Sequence, residues 1–188
     1  MNGVINAYSS LTKTKRFIGN MPTTASKDDF KNIVKSPSDY RVLIKYDGER
    51  YLFFVHNKSL YRISRRFDFT KMYSDDSLMS IDNTLFDGEL VNNTVVIFDL
   101  LIDNSVSVED NKFIKRFELI KKWFVSAKNA LMGNKFDFKL TKPYNIYEIS
   151  NIVTGKHSTS LPSDGIIIMN NVRYVRGNNT AGECLKWK

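Results

Sequence analysis

Lys45-Tyr46-Asp47-Gly48-Glu49-Arg50 stands between two stretches of strand character, Tyr40 to Tyr46 before it and Tyr51 to His56 after it. Val42, Ile44 and Tyr46 alternate, the period-two pattern of a strand with one buried face. An acid-glycine pair then turns the chain, and Lys45 falls on the strand edge. A lysine so placed can use its amine as a nucleophile, but only in the neutral form. The unperturbed pKa of a lysine is about 10.4, so burial, a nearby cation or a metal-bound substrate must favour that form. The same letters also fit a solvated lysine, an Asp-Gly turn and a surface arginine, and the rest of the chain has to weigh between the two.

Outward from this run, Tyr51 to Val55 and Leu60 to Ser64 form a hairpin around His56-Asn57-Lys58-Ser59, which makes His56 a polar turn residue. Arg62, Arg65 and Arg66 crowd its end, as a solvated basic edge or a phosphate contact. Upstream, Ser26 and Asp29 have capping-box spacing and open a short helix to about Lys35, which Pro37 closes. Residues 1–25 are polar and are expected as an amino-terminal arm over a domain spanning 26–188. Downstream, Phe86-Asp87-Gly88-Glu89-Leu90-Val91 ends one strand, and Asn92-Asn93 turns it into the apolar strand Val95 to Ile102. Acids flanking a glycine can be a plain turn; beside a reactive lysine they become candidates for a ribose hydroxyl or a metal.

Phe113, Phe117, Ile120, Phe124, Ala127 and Leu131 recur at helical spacing, which predicts an amphipathic helix over about 110–132 with its aromatic stripe in the core. A strand region from Phe136 to Tyr147 and an irregular or helical connection from Glu148 to Leu161 follow. Ser163-Asp164-Gly165-Ile166-Ile167-Ile168-Met169 reads as a buried strand, and Asn170-Asn171 turns it into a further extended stretch, Val172 to Val175. The last strand, Glu183 to Lys188, puts Lys186 and Lys188 on one face and Leu185 and Trp187 on the other. Paired lysines can be a solvated face, or can grip phosphates and lower a neighbouring lysine's pKa.

At 188 residues and 42% hydrophobic content the chain can bury a core as one domain. Its net charge of +8 favours a polyanionic partner. One cysteine, Cys184, excludes an intramolecular disulfide, and with two histidines it cannot build a Cys/His zinc site. Any metal would be held by carboxylates and phosphates, as Mg²⁺ or Mn²⁺ are. No apolar run is long enough to span a bilayer and no signal-peptide core opens the chain, so the expectation is a soluble, intracellular protein without a membrane partner. Many short strands with hairpin turns and one long helix predict an α+β fold.

Taken in order, Lys-x-Asp-Gly-x-Arg at Lys45, Asp87-Gly88-Glu89, Phe98-Asp99 on an apolar strand, Asp164-Gly165 before a hydrophobic run, and Lys186-Trp187-Lys188 resemble the covalent nucleotidyltransferases. That group comprises ATP-dependent DNA ligases, RNA ligases and mRNA capping guanylyltransferases. Met21-Pro22-Thr23, Tyr40-Arg41-Val42, Asn83 to Val91, Lys142-Pro143-Tyr144, Leu161 to Gly165 and the Leu185 to Lys188 ending bring the finer resemblance to the capping enzymes. It covers residues from about 20 to 188.

The resemblance implies antiparallel sheets around a nucleotide pocket, with GTP as substrate, Mg²⁺ or Mn²⁺ as cofactor and an RNA 5′ end as acceptor. It implies Lys45 as nucleophile, Arg50 and Glu89 on the ribose, Phe98 stacked on guanine with Ile166 on the other face, and Lys142 at the guanine carbonyl. Asp164 would position the metal, Lys186 and Lys188 would bind the α-phosphate, and Asp47, Gly48 and Asp87 would shape the motifs. Family members continue from Lys-Trp-Lys into an oligonucleotide-binding-fold domain, whereas this sequence stops at Lys188. The expectation is therefore no such domain in this chain, its part being supplied by a longer protein or another capping subunit, and slow self-guanylylation by this chain alone. An ATP-dependent RNA or DNA ligase adenylyltransferase domain and a noncatalytic nucleotide- or RNA-binding module are the rival readings.

Overall fold

The computed structural model of the chain describes residues 1–132, 135–157, 159–177 and 182–188. In chain order its elements are α1 (Asn2–Thr12), β1 (Thr23–Thr24), α2 (Lys27–Lys35), β2 (Tyr40–Tyr46), β3 (Glu49–His56), β4 (Ser59–Ile63) and β5 (Phe69–Ser74). Then come β6 (Thr84–Val91), β7 (Thr94–Asp103), β8 (Val106–Ser107), α3 (Phe113–Leu131), β9 (Asp137–Leu140), β10 (Tyr144–Asn145), α4 (Ile149–Val153), β11 (Ser163–Asn170) and β12 (Cys184–Trp187). This is the expected α+β class, built as two sheets. The first runs β1-β12-β11-β2-β10; the second runs β5-β4-β3-β6-β7-β8, with β9 added in parallel to β7.

The opening motif is the joint between the sheets. Strand β2 pairs with β11 and β10 in the first sheet, while β3 pairs with β4 and β6 in the second. Only Asp47 and Gly48 separate β2 from β3. The Asp47 N–H donates to the Pro162 carbonyl at 2.9 Å. A Cβ on Gly48 would stand 2.4 Å from the Leu90 carbonyl oxygen, so only glycine lets the joint lie this close to β6.

Burial follows the strand alternation. On one face of the second sheet, Phe53, Phe86, Val95 and Ile97 pack under Phe117, Ile120 and Trp123 of α3, with Phe53 and Phe86 stacked at 5.3 Å. On the other, Leu52, Phe54 and Leu85 pack under Val4 and Tyr8 of α1. The outer face of the first sheet buries Val42, Ile166, Ile168 and Leu185 against Ile33 of α2. The capping box forms as expected: the Ser26 N–H donates to Asp29 Oδ2 at 2.8 Å, and the Asp29 N–H to Ser26 Oγ at 3.2 Å.

Two segments differ from the sequence reading. Residues 1–25 contain helix α1, whose Tyr8 is fully buried edge-on against Phe54 and Phe69 and donates its hydroxyl to the Arg16 carbonyl at 3.0 Å. Val4, Ala7, Tyr8 and Leu11 stand at i, i+3, i+4 and i+7, a helical period that the reading of this stretch as a polar arm passed over. Val172 to Val175 is not a strand, because its backbone groups are spent on other loops: Phe113 N–H donates to the Val172 carbonyl at 3.0 Å, and Tyr174 N–H to the Glu109 carbonyl at 2.8 Å. Most of the predicted Gly177-to-Gly182 loop lies outside the described residues. Among the described residues no helix is long and apolar enough to cross a membrane.

Helix α3 is tied to β7 by an ion pair rather than by apolar packing alone. Arg116 donates from Nε and Nη2 to the two Asp99 oxygens, both at 2.8 Å, and from Nη1 to the Asn111 and Val172 carbonyls. Both side chains are at most 2% exposed. Truncating one partner strands the other charge without water, so Arg116→Met should cost about 3–5 kcal/mol of stability in urea unfolding. A loss below about 1 kcal/mol would show that water or another group reaches Asp99.

Candidate active site

Where the sheets diverge past the Asp47-Gly48 joint they leave a cleft of about 310 Å³. The first sheet contributes Leu43 and Lys45 from β2, Ile167 and Met169 from β11, and Cys184 and Lys186 from β12, with Lys188 just beyond it. The second contributes Arg50, Asp87, Glu89 and Phe98. Strand alternation aims Lys45 and Lys186 inward. Phe98 gets there differently, since the β6–β7 ladder pairs Asp87 with Asp99 and Gly88 with Ile97, leaving Phe98 as the unpaired residue of a bulge.

At the mouth, Lys45 Nζ lies 2.5 Å from Asp164 Oδ1, and the Lys188 amine binds the other oxygen of the same carboxylate. Burial works against ionising Asp164, but the hydrogen bonds from Lys188 and Lys45 outweigh it and hold this carboxyl below the usual range. Lys45 is 22% and Asp164 27% exposed in their side chains, so a ligand in the cleft can reach both. A Cβ on Gly165 would meet the Trp187 carbonyl at 2.3 Å, and its φ of +152° belongs to glycine; this draws Asp164 and Lys188 together across β11 and β12.

Deeper, Arg50 is buried in a polar network. It donates from Nε to Asp87 Oδ1 at 3.0 Å, from Nη2 to Asp87 Oδ2 and to Asn20 Oδ1 at 2.6 Å each, and from Nη1 to the Asn20 carbonyl at 2.5 Å. The Tyr174 hydroxyl donates to Asp87 Oδ2 at 2.6 Å and accepts from the Asn20 N–H at 2.8 Å. A guanidinium has five N–H groups, and four of them are spent on partners among the described residues. The Arg50 guanidinium carbon lies 5.2 Å from the centre of the Phe98 ring, which fixes that ring's edge of the cleft. The Glu89 carboxylate has no hydrogen-bond partner among the described residues, while its backbone pairs in the ladders with β3 and β7. Burial raises its pKa, against the pull of Arg50 and Lys45. The Cys184 thiol, buried at the cleft floor, is pushed up to about 12 by desolvation and is no nucleophile.

The structure thus brings Lys45, Arg50, Glu89, Phe98, Lys186 and Lys188 around one cleft, with Asp164 bonded to Lys45 and Lys188, Gly48 and Asp87 in its wall, and Asp47 at the joint outside the lining. It does not bring Ile166 or Lys142 there. Ile166 is buried on the outer face of the first sheet, because the period of two gives the inward place to Ile167. Lys142 lies over the Tyr144 ring and lines a separate groove, while Thr141 reaches the cleft. Asn20, Tyr174 and Arg65 also line the cleft. Of the three hairpin arginines Arg65 is the one that lines the cleft, and no local pattern pointed to Asn20 or Tyr174. His56 is the turn residue expected, its Nδ1 2.9 Å from Asn83 Oδ1.

For a divalent ion the donor set fits one mode of binding. Among the described residues no cluster of three or more His, Cys, Asp or Glu could hold a metal. Asp164 would be a lone carboxylate ligand, with phosphate and water supplying the other oxygens, as Mg²⁺ is commonly bound.

A sequence profile described as the mRNA capping enzyme catalytic domain matches residues 4–188. The chain belongs to that family. No curated protein sequence matches it. Among solved structures, the ATP-dependent DNA ligase of bacteriophage T7 in complex with ATP shares 14% identity at a TM-score of 0.65, covering 90% of this chain and 68% of that one. The Chlorella virus DNA ligase-adenylate shares 16% at 0.62, covering 92% and 68%. A mycobacterial DNA ligase D with ATP and MES shares 14% at 0.63, covering 90% and 59%. This capping-family chain spans about half to two-thirds of the length of these and similar ligase structures, at 46%, 59% and 68% of the first three chains. At such identity the likeness is one of fold alone.

The burial of Glu89 gives a prediction of stability against function. An acid whose folded pKa is raised above its unfolded value costs stability as pH rises through that interval, and the full cost stands at pH 7. Glu89→Gln should therefore melt at the same or a higher temperature than wild type at pH 7, the difference vanishing as pH falls toward 4. A lower melting temperature at pH 7 would mean that the carboxylate makes a stabilising contact.

Proposed function

We propose that this chain is the nucleotidyl-transferring domain of an mRNA capping guanylyltransferase. The observation that supports it most is the Lys45 amine at the mouth of a cleft that also holds Phe98, Glu89, Lys186 and Lys188, with Asp164 2.5 Å from the amine. Lys45, once deprotonated, attacks the α-phosphorus of GTP. A P–N bond forms to GMP, the bond to the bridging oxygen breaks, and pyrophosphate leaves with that electron pair. In the second step a terminal oxygen of a diphosphate RNA 5′ end attacks the same phosphorus, the P–N bond breaks, Lys45 regains a proton, and a GpppN end is released.

The side chains meet separate needs of these steps. Lys186 and Lys188 neutralise charge gathering on the α-phosphate oxygens. Glu89, whose carboxylate has no partner among the described residues, takes the ribose hydroxyls, and the Arg50 Nη1 N–H without a partner among those residues can give one contact beside it. Phe98 offers its ring to the base, with Ile167 opposite from the first sheet. Asp164 would be the carboxylate to hold a divalent ion, Mg²⁺ or Mn²⁺, which would supply further charge neutralisation at the phosphates.

Incubation with α-labelled GTP or ATP and Mg²⁺ or Mn²⁺, followed by denaturing electrophoresis, tests this reading. GTP label should stay on the protein, and Lys186→Ala should slow its attachment by a factor on the order of 10²–10³. Covalent ATP label instead would make the chain a ligase-type adenylyltransferase. No covalent label with either nucleotide would leave a binding module.

A further inference from the structure

The outer face of the first sheet carries a second groove beside the catalytic cleft. It has a volume of about 370 Å³, within the roughly 300–1,000 Å³ usual for small-ligand sites. Ile166 of β11, Ile152 and Val153 of α4, and His157 line it with Trp187 and Lys188. His157 is a fixed wall, its Nε2 3.0 Å from Glu148 Oε2 and its ring 4.6 Å from that of Tyr144. Trp187 meets Phe30 edge-to-face at 6.2 Å and stays 38% exposed, so part of the indole faces open space.

Lys188 belongs to both this groove and the catalytic cleft. Its amine and that of Lys45 bind the two oxygens of one carboxylate, Asp164. The groove therefore begins one carboxylate's width from the nucleophile, at the phosphate end of the cleft. Its character changes along its length: a cation where the chemistry occurs, then an indole and aliphatic side chains. That sequence fits a molecule with an anionic end and a flat, largely apolar body.

We propose that this groove seats the first nucleoside of the RNA acceptor, its base stacked on Trp187 and its 5′ phosphates at Lys188. The proposal rests on the capping reading and adds where the acceptor lies. Base–aromatic stacking is tolerant of sequence, so any first base is accepted. With RNA seated here, the terminal phosphate reaches the lysyl–GMP phosphorus over the ends of β11 and β12 while guanine stays inside the cleft.

The chain has two tryptophans, and Trp123 is buried at 5% exposure, so a ligand that quenches fluorescence reports on Trp187. A short single-stranded RNA with a 5′-diphosphate should quench wild-type fluorescence at lower concentration than the same RNA with a 5′-hydroxyl. Trp187→Leu, which keeps apolar packing without a π face, should form the lysyl adduct at the wild-type rate. It should raise KM for the RNA in transfer by about 5- to 150-fold, and Trp187→Phe should restore most of the loss. Equal quenching by the two RNAs, or an unchanged KM in Trp187→Leu with adduct formation intact, overturns the groove and leaves the capping reading standing. Absence of any adduct in wild type defeats the capping reading, and absence of quenching then defeats the groove as well.

Discussion

A guanidinium and a carboxylate shut away from water, Arg50 and Asp87 on neighbouring strands of the second sheet, tie that sheet to the segment before β1 and to the loop after β11. Taking both charges out of water is costly, and the arrangement persists because the remaining lone pairs and N–H groups find Asn20 and Tyr174. Each partner arrives from a different part of the chain: Asn20 ahead of β1, Arg50 on β3, Asp87 on β6, Tyr174 after β11. Once the four meet, the floor of the cleft and the place of Phe98 are set. Asp99 and Arg116 repeat the device one layer away, anchoring α3.

This arrangement explains why the reactive groups lie on opposite sheets. Lys45, Asp164 and Lys186 lie on the first sheet, with Lys188 just beyond it, and would carry the charge chemistry of the proposed reaction. Glu89 and Phe98 come from the second and face the other side of the cleft. Phosphoryl transfer depends on holding a nucleophile, a phosphorus and a leaving group in line, so the relative placement of the sheets governs the reaction. Gly48 and Gly165 serve that placement, since a Cβ at either would strike a carbonyl of a neighbouring strand.

Much of this could be read from the residues before any coordinates. Short-range patterns carried it: alternation gave β2 and β12, the Ser26–Asp29 spacing gave the cap of α2, and the aromatic period gave α3. The lysine, acid-glycine pairs and terminal lysines gave most of the cleft because they lie on strands whose inward face is set by parity. What stayed hidden depends on contacts between distant parts of the chain. Asn20 and Tyr174 are 154 positions apart and have no local signature as a pair. Ile166 and Ile167 are chemically alike, so an unbroken apolar run cannot say which faces inward. Tyr8 looked like part of a polar arm because its burial depends on Phe54 and Phe69.

The account stands on one amine taking up a nucleoside monophosphate inside this cleft. The most direct measurement is peptide mapping by mass spectrometry of the folded chain after incubation with GTP and a divalent ion, with and without brief acid treatment. The account predicts a GMP residue on the peptide containing Lys45, lost in acid as a phosphoramidate is. GMP found on any other residue, or an acid-stable linkage, would contradict it.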